Sequence, residues 1–259
     1  MEPNSNEISI NEELKMPLVG HLEELRQRVL WSLIAILVGT LISFIFVKDL
    51  VQLLEAPASS IRFLQLAPGE FLFVSIKVAG YSGLTFTLPY IIYQFLKFIF
   101  PGLTQKEKKL IAPAVTCSAI LFFIGLFFAL SVLIPAALNF LVGYGSDVVE
   151  PLWSIEKYLD FVLLLMLSTG LAFQLPVLQF ILGALGLVQW KQMLSGWRWV
   201  VMTAAIAGAV LTPSTDPITM LLLASAISCL FLIGVGMVAI TEKFREGTLS
   251  VVQPPSSGE

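Results

Sequence analysis

With 57% hydrophobic and only 13% charged residues over 259 positions, the chain falls far below the roughly 25% charge of a soluble domain, and the surplus apolar surface is expected to face lipid. A net charge of −3 gives no basis for a nucleic-acid partner, and one histidine (His21) leaves no material for a His-based metal site or a Ser-His-Asp triad. The two cysteines, Cys117 and Cys229, lie inside apolar runs and imply no disulfide framework. No nucleotide fingerprint is legible, so neither a cofactor nor an enzymatic activity is expected.

In chain order, residues 1–15 are polar and acidic, unlike a signal or transit peptide, which predicts insertion from the compartment of synthesis. Pro17 to Arg28 places Leu18, Leu22, Leu25 and Val29 at helical spacing and reads as an amphipathic interfacial helix. Crossing the hydrocarbon needs about 20 mostly apolar residues. Six runs approach that length, at about 29–47, 71–98, 111–141, 161–187, 197–211 and 218–240. Pro89 interrupts the second, and Gln174 and Pro176 the fourth. The fifth is short enough to thin the bilayer or tilt among its neighbours. Thr212-Pro-Ser-Thr-Asp-Pro217 is a stop-and-restart signal. The expected fold is all-α, a single polytopic membrane domain over residues 1–259, with a disordered tail from 247 to 259.

With the N-terminus inside, eleven Lys and Arg fall in inner segments and three (Lys48, Arg62, Lys157) in outer ones, while Lys77 lies within a run. The positive-inside rule then puts both ends on the cytoplasmic, or stromal, side.

Few residues have the means for chemistry. Glu24 and Arg28 sit at i, i+4, which as a solvated surface pair is worth a few tenths of a kcal/mol. Thr104-Gln-Lys-Glu107 fits a capping box. Glu107 is also a carboxylate at a helix N-terminus among Lys106, Lys108 and Lys109, which suits bidentate recognition of a guanidinium. Gln174 has two readings: it satisfies the Ala172 carbonyl that Pro176 frees, or it is a polar group facing a bundle interior. Asp216-Pro217 reads as an N-cap followed by proline. Gly234 and Gly236 are expected to permit close helix packing.

The stretches His21-Leu-Glu-Glu-Leu-Arg26, Leu88-Pro-Tyr-Ile-Ile-Tyr-Gln94, Phe98-Ile-Phe-Pro-Gly-Leu103, Lys106-Glu-Lys-Lys-Leu110, Phe173-Gln-Leu-Pro-Val177 and Leu211-Thr-Pro213 occur in an order and spacing that resemble the TatC family of twin-arginine protein translocases. The resemblance covers about residues 15 to 245. It implies a protein that recognises signal peptides bearing an arginine pair and passes folded cargo across a bacterial plasma or thylakoid membrane. Proton-motive force, single-span TatA- and TatB-like partners, self-association and surrounding membrane lipid are implied with it. It assigns Glu24, Glu107, Arg26 and Phe98 to signal binding, and Pro57, Pro89, Gln174, Pro176 and Asp216 to structure or transport. Many relatives carry glutamate at position 174 and at Leu232, so a proton relay at Gln174 is not expected here. The alternative reading, a secondary transporter of small solutes, draws on the two Pro-interrupted runs.

Overall fold

A computed structural model describes residues 18–59, 61–99, 105–144, 152–211 and 217–250, and the side chains of all of these except 18–19, 99, 105–112, 211 and 244–250. Helix α1 (Leu18–Ile45) is followed by α2 (Val47–Glu55), a 3-10 turn (Ala56–Ala58) and strand β1 (Arg62–Leu64). The chain returns through α3 (Glu70–Ile99), then α4 (Gln105–Phe128), a π-turn (Ala129–Leu133) and α5 (Ile134–Gly143). Next come β2 (Leu152–Ser154), α6 (Ile155–Ala172), α7 (Leu175–Ala184), α8 (Trp190–Ser195), α9 (Trp197–Leu211) and α10 (Pro217–Ser250).

Lipid explains this inventory. A backbone in hydrocarbon must satisfy its own amides, so each apolar run becomes helix. Five helical stretches are long and apolar enough to cross a bilayer, and Trp197–Val210 is a shorter sixth. At 1.5 Å per residue, the 15 residues of α9 span ~22 Å. Arg28 beside Gln94 and His21 beside Phe98 put the start of α1 and the end of α3 at one face, here the terminal face.

Three expectations need correction. Residues 18–28 are no separate interfacial helix, because they run without a break into the first span as part of α1. Nothing between His21 and Val38 is glycine or proline, so the helical ladder has no reason to stop. The fourth run is two helices, not one, because Phe173 and Gln174 form a turn ahead of Pro176. Proline has no amide to donate, and the preceding helix ends before it. The tail begins later than position 247, since helical backbone continues to Ser250 through the helix-favouring Glu-Lys-Phe-Arg-Glu246 stretch. Residues 251–259 lie outside the described residues.

The π-turn ahead of α5 has a related cause. Pro135 cannot close the ladder back onto Ser131, and the wide turn falls across that position.

Most of the core gathers towards the face opposite the start of α1, where Val51, Val74, Val78, Leu133, Ile134, Leu159 and Val162 pack together. There the first and second outer connections are tied in parallel, with Arg62, Phe63 and Leu64 opposite Leu152, Trp153 and Ser154. Glu70, only 4% exposed, fastens this knot. Its carboxylate accepts the Leu66 amide at 2.5 Å, the Ala67 amide at 3.0 Å and the Ser154 hydroxyl at 2.8 Å. Two turns further on, Lys77 Nζ reaches Glu156 Oε1 at 2.7 Å and both Asp160 oxygens at 3.1 Å. The lysine inside the second run is therefore paired with acidic residues of α6 rather than left bare in an apolar setting. Pro57 belongs to this end as well, half-buried in the 3-10 turn.

Glycines set the helix spacing where helices touch. A methyl group on Gly83 of α3 would fall 2.4 Å from the Thr40 amide nitrogen of α1. Gly234 of α10 packs against Gln179 and Pro176 of α7, as expected of it, whereas a methyl group on Gly236 would meet nothing within 4 Å among the described residues.

Candidate functional site

At the terminal face, the antiparallel crossing of α1 and α3 opens a cavity of about 390 Å³. Helical periodicity builds it. On α1, Glu24 and Arg28, and Gln27 and Trp31, are i, i+4 pairs, and α3 supplies Tyr90, Gln94 and Lys97 from its last turns.

The carboxylate of Glu24 is bound on one oxygen only. Oε1 accepts from Arg28 Nε at 3.2 Å and from Arg28 Nη2 in a closer contact. Oε2 is buried and has no hydrogen-bond partner among the described residues. A buried carboxylate oxygen without a donor costs free energy on the order of 1–3 kcal/mol, so the site favours a further donor. The same guanidinium extends across the seam, where Arg28 Nη1 donates to Gln94 Oε1 at 3.3 Å. Gln94 in turn donates from Nε2 to the Tyr90 hydroxyl at 2.5 Å. The Glu24 and Arg28 side chains are 22% and 15% exposed, so this is no ordinary surface ion pair. One turn further out the seam is closed by rings, with His21 stacked on Phe98 at 4.2 Å and 20°.

Not every expected residue joins this cluster. Arg26 lies about 200° around the helix from Glu24 and pairs with Glu23 at 3.4 Å, both side chains more than 70% exposed. Glu107 stands in the first turn of α4, and its side chain lies outside the described residues. Thr104 and Asp216 also lie outside them, while Pro217 opens α10. Pro89 sits inside α3 without ending it.

Gln174 is remote from the cavity in sequence and sits at the α6–α7 break. Its amide does not turn back to Ala172. It takes the Ser118 hydroxyl at 2.5 Å and donates to the Ser118 carbonyl at 3.1 Å, locking α4 to the start of α7. Its partner is thus another helix of this same chain.

Gln94, Tyr90, Trp31 and Lys97 were not singled out from the sequence. The available signals were the place of Tyr90 and Gln94 in one of the stretches that carry the resemblance and their i, i+4 spacing, and neither says what faces them.

A family model described as Sec-independent protein translocase protein (TatC) matches residues 20–225. The Sec-independent protein translocase protein TatC of Synechocystis sp. is 56% identical over 234 residues, covering 90% of this chain and 92% of that protein. The chloroplastic TATC protein of Arabidopsis thaliana is 50% identical over 241 residues, covering 92% of this chain and 70% of its own. A crystal structure of the twin arginine translocase receptor TatC superposes with a TM-score of 0.77 at 32% identity, covering 86% of this chain and 99% of that one.

Proposed function

The chain belongs to the TatC family of Sec-independent protein translocases, and from that premise we propose that it is the multi-pass component that receives twin-arginine signal peptides and passes folded cargo across the membrane. The observation that carries this reading is the half-used Glu24 carboxylate. One oxygen already holds a guanidinium, that of Arg28, and the other is buried without a donor beside a cavity at the membrane face.

An incoming arginine offers five N–H donors in a planar fork that suits a carboxylate better than any ammonium does. Glu24 takes one arginine of the pair. Arg28 keeps a second acceptor in Gln94 Oε1, so it gives up Glu24 without losing every partner. Glu107, at the positive N-terminal end of α4, is the second carboxylate, and the stacked His21 and Phe98 form an apolar shoulder. The excess of Lys and Arg in the segments counted as inner supports a cytoplasmic or stromal position for this site and for both chain ends. TatA- and TatB-like single-span proteins dock on the outer flank of α9 and α10, further copies of the chain complete the receptor, and the proton-motive force drives transport. A small-solute transporter has no support in this kinship.

Capture of a photoreactive twin-arginine peptide by the purified chain is the test. Wild-type protein is expected to crosslink the Arg-Arg peptide well above its Lys-Lys counterpart, and Glu24→Ala/Glu107→Ala to lose that difference. Undiminished capture by the double variant would overturn the assignment.

The Gln174–Ser118 clasp gives a separate expectation. Polar clasps between membrane helices contribute roughly 1 kcal/mol, so Gln174→Leu leaves a folded protein. Vesicle transport is expected to fall several-fold while peptide binding stays within twofold of wild type. Equal loss of both would reduce Gln174 to a folding role.

A further inference from the structure

The connection from α7 to α9 concentrates features that signal recognition does not use. Three of the five tryptophans, Trp190, Trp197 and Trp199, fall within ten positions. Lys191 and Arg198 stand among them, each over an indole ring, 5.8 Å from the Trp190 centroid and 5.9 Å from that of Trp197. Both cations are exposed, and neither pairs with a carboxylate among the described residues. With Leu194 and Trp199 they border a cleft of about 710 Å³.

The cleft is shaped before anything enters it. Gln189 and Gln192 close a reciprocal capping box on α8. Gly196 then turns the chain into α9, with the Trp199 amide bonded back to the Gly196 carbonyl at 3.0 Å. Among the described side chains the nearby acid is already committed, because Glu242 Oε1 accepts the Trp190 amide at 3.1 Å. Ser195 gives its proton to the Gln192 carbonyl at 2.7 Å, which leaves the two cations and the indole N–H groups as donors.

Depth decides the ligand. Glu242 and Lys243 end the apolar part of α10 at the level of Trp190, which marks the water boundary. Indoles favour that boundary, and unpaired Lys and Arg beside it attract anionic headgroups. Below the cleft, α9 shows exposed Met202 and Ile206, an apolar wall for acyl chains. A span of only ~22 Å also draws the headgroup plane inward towards this cleft.

We propose that the α8–α9 cleft is a headgroup site for one anionic membrane lipid, bound by Lys191 and Arg198 and framed by Trp190, Trp197 and Trp199. The ligand class is a phosphate or sulfonate monoanion that carries two acyl chains. The site stands apart from the Glu24 cavity and does not depend on how that cavity is read.

The test is native mass spectrometry of the full chain released from bilayers of mixed phosphatidylglycerol and phosphatidylcholine. Wild-type protein is expected to retain phosphatidylglycerol with a preference on the order of tenfold, from about a factor of several per cation. Lys191→Gln/Arg198→Gln is expected to lose the preference. The charge-preserving Lys191→Arg/Arg198→Lys and the opposite-face Lys48→Gln/Lys157→Gln are expected to keep it. Absence of preference in wild type, or its survival in the glutamine double variant, would overturn the site. Loss in the charge-preserving variant as well would do the same, by showing that packing rather than charge was disturbed. Displacement of the bound lipid by millimolar inorganic phosphate would mark a free-anion site and reject the lipid.

Discussion

Glu24→Lys is expected to reduce the affinity of the purified chain for a twin-arginine peptide by at least about a hundredfold. Two contributions add. A charge-assisted hydrogen bond is worth about 1.5–3 kcal/mol, which is roughly 10- to 100-fold in affinity at 1.4 kcal/mol per decade. The introduced ammonium then faces Arg28, which lines the same cavity, and opposes any arriving guanidinium. Glu24→Gln separates the two, because it removes the charge without reversing it and should cost only the first part. In both variants Arg28 keeps Gln94 as an acceptor, so the α1–α3 seam should stay closed. Glu23→Gln is the matched control. It lies one residue away, but its pair with Arg26 is more than 70% exposed and screened by water and salt. Fluorescence anisotropy with a labelled peptide reads all three. A change of less than twofold on Glu24→Lys would remove Glu24 from recognition.

The spans were legible in the sequence because lipid enforces length and apolarity at once, and few other settings do. The positions of five runs follow from that constraint alone. What escaped depends on partners distant in sequence. Strands Arg62–Leu64 and Leu152–Ser154 are three residues each, too short for alternation to declare them, and they meet where Glu70 and Ser154 tie the two connections together. Gln174 looked local because Pro176 is near in sequence, yet its partner is Ser118, 56 residues earlier. The cavity divides in the same way. The Glu24–Arg28 pair is written in an i, i+4 spacing, whereas its burial and its link to Gln94 require knowing which face of α3 lies opposite.

That seam also explains why α1 is vulnerable. Only 6% of its apolar window is buried, against 33 to 50% in the other long spans, and it packs almost wholly on α3. Helices in a bilayer gain nothing from excluding water from one another, so close packing must hold them. The contact is narrowest at Gly83, where an added methyl would lie 2.4 Å from the Thr40 amide nitrogen and 2.5 Å from its Cα. Backbone cannot rotate aside as a side chain does. Gly83→Ala must push the helices apart, at an expected cost of about 3 kcal/mol, the upper part of the overpacking range. The cavity should open with it, because Glu24 rides on one helix and Gln94 on the other. Gly80, one turn earlier on α3, has nothing among the described residues within 4 Å of its would-be methyl, so Gly80→Ala tests the same chemistry without the contact. Thermal unfolding in detergent and peptide affinity should both fall for Gly83→Ala and neither for Gly80→Ala. If the two variants behave alike, the grip of α3 on α1 does not run through this crossing, and the geometry of the recognition cavity must be maintained from elsewhere.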